Sequence, residues 1–224
     1  MLSPAEWSAL WLSIKATTVS LLLMLPVGVG IGWTISRTRW RWRGLLNALV
    51  HLPLVLPPVV TGYVLLILFG REGPFGRLFE AVGLPIAFTW RAVVLAIGAV
   101  AMPLLVRGVV LAMDAVDPRL EVAARTLGAS RWRVFWTITL PLSYRGVLAG
   151  GILAFARGLG EFGATVIVAG NIPGRTQTVP LAIFNRIQVG AEAEALRLVL
   201  IAAIVSLLAV WASERLMPGY LRRQ

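Results

Sequence analysis

The sequence predicts an all-α integral membrane protein with five transmembrane helices and one long polar loop folded as a helical pair. Three observations lead there. Of 224 residues, 58% are hydrophobic and 14% charged, and the mean hydropathy is +0.82; soluble domains carry roughly 25% charged residues. A chain of this size could not hide so much apolar surface from water, so lipid is its main solvent. Second, five apolar stretches reach the length of about 20 residues that a helix needs to cross the hydrocarbon core. They lie near residues 11–35, 45–69, 92–111, 146–169 and 196–217. Their backbone groups have no water to bond, which makes them helices, and they lack the two-residue alternation of a barrel. Third, the net charge of +11 comes from arginines that collect between the spans, a topology signal and not a nucleic-acid-binding face.

The stretch Met1-Leu2-Ser3-Pro4-Ala5-Glu6-Trp7 lacks a basic leader, and no small-residue cleavage site follows the first apolar run, so an uncleaved anchor is expected. Lys15 can snorkel outward, and Trp33, Trp40 and Trp42 suit an interfacial belt. Pro26 and the Gly28, Gly30, Gly32 series allow close helix packing. In the second span, His51 reads as an interfacial residue. The run Pro53, Pro57, Pro58 predicts a bend, which either lines a path or serves packing. The third span contains one helix breaker, Pro103. The fourth contains Arg157 and Glu161, one turn apart on one helix face. Each costs roughly 2.5–3.5 kcal/mol to insert alone. They form either a self-neutralising structural pair or part of a gate at a dimer interface. Between the last two spans, a short helix is expected near Leu181–Ile187.

Orientation follows from arginine placement. Arg37, Arg39, Arg41 and Arg43 follow the first span, and Arg119, Arg125, Arg131, Arg133 and Arg145 follow the third. Arg222 and Arg223 lie in the tail. On the opposite side, Arg71, Arg77, Arg175 and Arg186 are offset by Glu72, Glu80, Glu192 and Glu194. The first set belongs in the cytoplasm, with the N-terminus outside and the C-terminus inside.

Composition also excludes functions. The absence of cysteine removes thiolate chemistry and Cys-based metal centres, and one histidine cannot build a metal cage. No metal or cofactor is expected. Acids are too scattered for a catalytic cluster, and no Gly-x4-Gly-Lys-Ser/Thr phosphate loop occurs, so any ATP hydrolysis belongs to another subunit.

The loop over residues 114–144 carries the most specific pattern. Asp117-Pro118 reads as a helix start. Leu120, Ala123, Ala124 and Leu127 follow at helical spacing as an apolar face, while Glu121 and Arg125 are placed to pair on the other. Gly128 suits a left-handed helix end, and Ser130 a second cap. Trp132, Phe135, Trp136 and Leu140 form the next stripe, which Pro141 is expected to stop or redirect. With Ala129, the small residues make a slim elbow. It either enters a groove in another protein or lies on headgroups.

The spacing Ala123-Ala124-x3-Gly128-x9-Ile138-x-Leu140-Pro141 resembles the "EAA" loop of the permease subunits of bacterial type I ABC importers. The family's Glu is Val122 here, with Glu121 one place earlier. His51–Val60 and Gly158–Thr165 resemble the molybdate branch of these permeases, and the resemblance covers nearly the whole chain. It implies a single permease domain over residues 1–224 with a MetI-like fold, working as a homodimer in the bacterial inner membrane. It further implies two cytoplasmic ABC ATPase subunits docked at the loop and a periplasmic oxyanion-binding protein that delivers cargo. Molybdate, or tungstate, would cross by alternating access. Sulfate, another oxyanion, or a stand-alone secondary transporter are the alternatives. Expected coupling residues are Glu121, Ala123, Ala124, Arg125, Gly128, Ala129, Leu140 and Pro141. Those of the path or gate are Pro57, Pro58, Arg157, Glu161, Phe162 and Gly163.

Overall fold

A capping box starts the first helix. In the computed structural model, which describes residues 3–38 and 41–216, the Ser3 hydroxyl accepts the Glu6 N–H at 3.2 Å and the Glu6 carboxylate accepts the Ser3 N–H at 2.6 Å. Pro4 takes the first helical position, where its missing N–H costs nothing. Helix α1 thus runs over Pro4–Arg37, earlier than the expected start near residue 11. Glu6 is tolerated there because Arg197, near the start of the last helix, reaches it at 3.4 Å. The expectations resting on Met1, Leu2, Arg39, Trp40, Met217, Arg222 and Arg223 lie outside the described residues.

The chain continues as α2 (Arg43–Val55), α3 (Pro58–Phe69), α4 (Pro74–Ala81), α5 (Trp90–Asp114), α6 (Pro118–Thr126) and α7 (Arg131–Val134). A π turn over Phe135–Thr139 leads into α8 (Leu140–Leu159), followed by α9 (Gly163–Val168), α10 (Val179–Gln188) and α11 (Glu192–Leu216). Among the described residues, four helices are long and apolar enough to cross a membrane, or five if the bent pair α2 and α3 is one span.

Three sequence-based boundaries are corrected. The expected span 45–69 is two helices bent by 112°, so the bend predicted from its proline run forms but divides the span. Pro53 sits inside α2 without breaking it, whereas Pro57 and Pro58 in succession do break the chain. Neither proline has an N–H, and each pushes the residue before it into extended backbone, seen at Leu56 (ψ 143) and Pro57 (ψ 134). The expected span 146–169 starts earlier, ends at Leu159 and resumes as the short α9. Pro141 neither stops nor redirects the second loop helix, because the π turn ahead of it absorbs the lost hydrogen bond. Leu140 N–H bonds Phe135 O across five residues, and Arg131–Leu159 forms one candidate span. Helix α4 was not legible in the pattern. It packs through Phe75 and Phe79 on Phe69, with ring centroids 5.2 and 6.2 Å away.

The core sits between α1, α5 and α8. Helices α1 and α5 run in the same direction, since Ser20 donates to Val94 O and Arg37 reaches Met113 O at their respective ends. Helix α8 returns antiparallel. Small residues set the spacing: a Cβ added to Gly28 would stand 2.6 Å from Leu105, and one on Gly108 would stand 2.7 Å from the Gly150 Cα. Gly32 is pressed equally hard on Val109, whereas Gly30, between them in sequence, faces open space. The packing role expected of the first-span glycines therefore falls to Gly28 and Gly32, four residues apart and on one helix face.

Candidate functional site

The loop end of the bundle is built from local caps. Asp117 Oδ1 accepts the Arg119 N–H at 2.9 Å, and Ser130 Oγ accepts the Arg133 N–H at 3.3 Å. Helix α6 closes with paired bonds, Gly128 N–H to Arg125 O and Ala129 N–H to Ala124 O, both 3.0 Å. This closure places Gly128 at φ +87, a left-handed conformation that a side chain disfavours. A Cβ there would meet nothing within 4 Å, so the elbow projects freely.

Which face of α6 turns outward differs from the sequence-based expectation. Glu121 and Arg125 do not form a solvent-facing side-chain ion pair. Glu121 is buried, and its Oε1 accepts from Arg37 Nε at 2.9 Å and from the Thr139 hydroxyl at 2.8 Å. Arg125 instead donates to the backbone carbonyl of Glu121 at 3.4 Å. The physical reason is preorganisation. Arg37 is already held by Met113 O and Asp114, so its fork is an ordered, half-desolvated partner, while exposed Arg125 would have to give up side-chain freedom in water. With Glu121 turned in, the expected apolar face turns out: Leu120 is 48% exposed and Leu127 89%. Val122, which stands where the family's Glu would be, is also exposed at 52%. The departure from the motif thus alters the outward face and leaves the internal lock to Glu121. Leu140 and Pro141 open α8 beyond the π turn, with Leu140 packed on the core. Arg37 and Thr139 were missed as members of this site. Their contacts with Glu121 are long-range, and no local spacing announces them.

The second cluster lies at the end of α8 away from the loop, where two interrupted helices meet. The break at Pro57–Pro58 touches the break at Gly160–Phe162: a Cβ on Gly163 would lie 2.8 Å from Pro58 Cβ, and one on Gly62 would lie 2.6 Å from Ala164 O. Arg157 Nη1 and Glu161 Oε2 are 2.9 Å apart, so the expected pair forms. Its setting differs, since α8 has ended and Glu161 stands in the break. The other Glu161 oxygen accepts the Ala164 N–H at 2.8 Å, capping α9. The Glu161 side chain is 1% exposed and that of Arg157 is 32%. A carboxylate between a guanidinium and a helix start is satisfied on both oxygens, which makes such burial tolerable. Phe162 stacks obliquely on Phe184 of α10 at 5.2 Å, tying the break to the segment before α11. Pro57 O accepts the Val60 and Thr61 N–H groups and so heads α3. The candidate path residues thus come together, while the coupling residues gather at the opposite end of α8. Among the described residues no group of three or more acids, histidines or cysteines could hold a metal ion.

Residues 24–222 match the family described as binding-protein-dependent transport system inner membrane component. The chain belongs to this family. This inner membrane component is 48% identical to the molybdenum transport system permease protein ModB of Escherichia coli (strain K12), over 96% of this chain and 94% of that protein. Identity to ModB of Haemophilus influenzae is 49%, over 93% and 92%. The sulfate transport system permease protein CysW of Synechococcus elongatus is 41% identical, but over 63% of this chain and 49% of its own length. Among solved structures, the inward-facing MetNI methionine ABC transporter superposes with a TM-score of 0.75 at 18% identity, covering 96% of this chain and 97% of that one. A bacterial alginate ABC transporter with its periplasmic protein gives 0.73 at 16% identity, covering 96% and 79%. The MetI-like, all-helical fold expected from the sequence is the fold observed.

Proposed function

We propose that this inner membrane component is the membrane-spanning subunit of an ATP-driven importer for molybdate, with tungstate as a chemically equivalent cargo. The observation that carries the reading is the near-full-length identity to two ModB permeases, against partial coverage of the sulfate permease. In this reading two copies pair across the translocation path. Two cytoplasmic ABC ATPase subunits grip the α6 elbows, and a periplasmic oxyanion-binding protein delivers the cargo. The N-terminus faces the periplasm and the C-terminus the cytoplasm, in keeping with arginines crowding the loop end.

The geometry suits that work. The exposed Leu120, Val122 and Leu127 face, tapering to Gly128, offers an apolar knob with Arg119 and Arg125 at its flanks. Motion imposed on the knob passes into α1 through Glu121–Arg37 and into α8 through Glu121–Thr139. The far end of α8 is the break held by Arg157–Glu161, resting on the bend of α2 and α3. Rocking α8 therefore shifts both breaks together, which is what alternating access by rigid-body motion requires. Because Glu161 neutralises Arg157, the path does not trap a dianion, and conduction needs weak sites.

Competition in proteoliposomes tests the cargo. With the permease, its ATPase and the binding protein present, molybdate uptake is expected to be displaced by tungstate and little affected by sulfate. Equal displacement by sulfate would move the assignment to the sulfate reading.

A further inference from the structure

Charges deep in the long helices are almost all partnered. Lys15 lies 4.4 Å over the Trp90 ring, Arg157 pairs with Glu161, Arg197 with Glu6, and Arg145 with the Tyr144 hydroxyl. Arg107 is the exception. Among the described residues it alone lies more than one turn inside a spanning helix as an exposed cation with no ion pair, ring or hydrogen bond. It stands about 10 Å from the end of α5 at 1.5 Å per residue.

Its place on α5 gives it a direction. Ala96, Val100, Pro103 and Arg107 recur at helical spacing and share one face. The upper part of that face is covered: Ala96 and Val100 are buried in one cluster with Ala164 and Val168 of α9. Pro103, the next position on that face, is still buried, and the cover ends one turn further on at exposed Arg107. Arg157 is level with the covered part, since its neighbour Gly158 packs on Ile97. Arg107 therefore lies about 15 Å along α5 from Arg157, on the loop side of the two breaks and on the face that looks toward them.

We infer that Arg107 is an oxyanion contact of the translocation path, an unpaired cation on the loop side of the neutralised Arg157–Glu161 pair. The inference rests on the proposed oxyanion importer and names a residue of that path. A bare guanidinium suits a tetrahedral oxyanion, which it binds through paired N–H donors, and a single exposed one binds weakly enough to let the ion go on. A lipid phosphate offers the same chemistry, so the test separates the two.

The assembled complex with its ATPase and loaded binding protein, in proteoliposomes, carries Arg107→Gln, Arg107→Lys or Arg107→Cys. The chain has no cysteine, so the last variant gives a unique thiol. Molybdate uptake is expected to fall about tenfold in Arg107→Gln, the worth of one charge-assisted bond, and to return within about twofold in Arg107→Lys. Purified Arg107→Gln should keep the wild-type melting midpoint, because nothing packs on the lost charge. An anionic, membrane-impermeant thiol reagent should modify Arg107→Cys, and added molybdate should slow it. Wild-type uptake by Arg107→Gln would overturn the inference, as would labelling that ignores molybdate but follows the fraction of anionic lipid. Failure of the unsubstituted complex to move any oxyanion would instead refute the importer reading itself, independently of Arg107.

Discussion

Glu121 and Gly128 do different jobs within one short helix. Glu121 is the inward lock, accepting from Arg37 and Thr139. Removing Glu121 leaves Arg37 its contacts with Asp114 and Met113 O, so the cost is that of the lost charge-assisted bonds, about 1.5–3 kcal/mol, and not that of a stranded charge. Glu121→Ala should therefore lower the melting midpoint of the purified chain. A double-mutant cycle with Arg37→Met should return a coupling of about 0.5–3 kcal/mol, and strict additivity would show that the contact carries no energy. Gly128 is outward, in a left-handed conformation that only a side chain would strain. Gly128→Ala should cost about 1–2 kcal/mol for the left-handed conformation, and Gly128→Trp little more, because the space around it is open. The two variants separate in binding: the tryptophan should abolish co-purification with the ATPase while the fold survives. Retention of the ATPase by Gly128→Trp would mean that the elbow does not enter a groove.

Elements are held at their crossings by glycines whose surroundings differ sharply. Gly62 of α3 lies against the Ala164 backbone, which has no rotamer with which to yield, whereas Gly30 of α1 faces nothing. Gly62→Ala should destabilise by about 1–3 kcal/mol through overpacking, and Gly30→Ala should stabilise by up to about 1 kcal/mol through helix propensity. Denaturation of both variants in detergent checks the sign, and equal effects would contradict the crossing. Much of this level was readable in advance. The caps at Asp117 and Ser130, the left-handed Gly128 and the helix near Leu181–Ile187 all follow from local chemistry, and local chemistry settled them. What failed were outcomes decided across the fold. Glu121 chose Arg37, 84 residues away, over its neighbour Arg125. Pro141 was absorbed by a π turn, and the fourth apolar run broke at Gly160 because Glu161 could cap a new helix. Hydropathy measures only how much a segment prefers lipid, so it reports neither break.

At the scale of the molecule, the loop elbow and the two breaks lie at opposite ends of α8, one stiff 20-residue helix. In the proposed function, this arrangement separates the place where force enters from the place where cargo passes, and a partner ATPase supplies the energy. In that reading, transport depends on a partner that hydrolyses ATP. The most direct measurement of that dependence is molybdate uptake into proteoliposomes containing the permease and loaded binding protein, with the ATPase present, omitted, or present without ATP. Uptake should occur only with both ATPase and ATP, and should vanish in Gly128→Trp. Sustained accumulation by the chain alone would contradict that dependence.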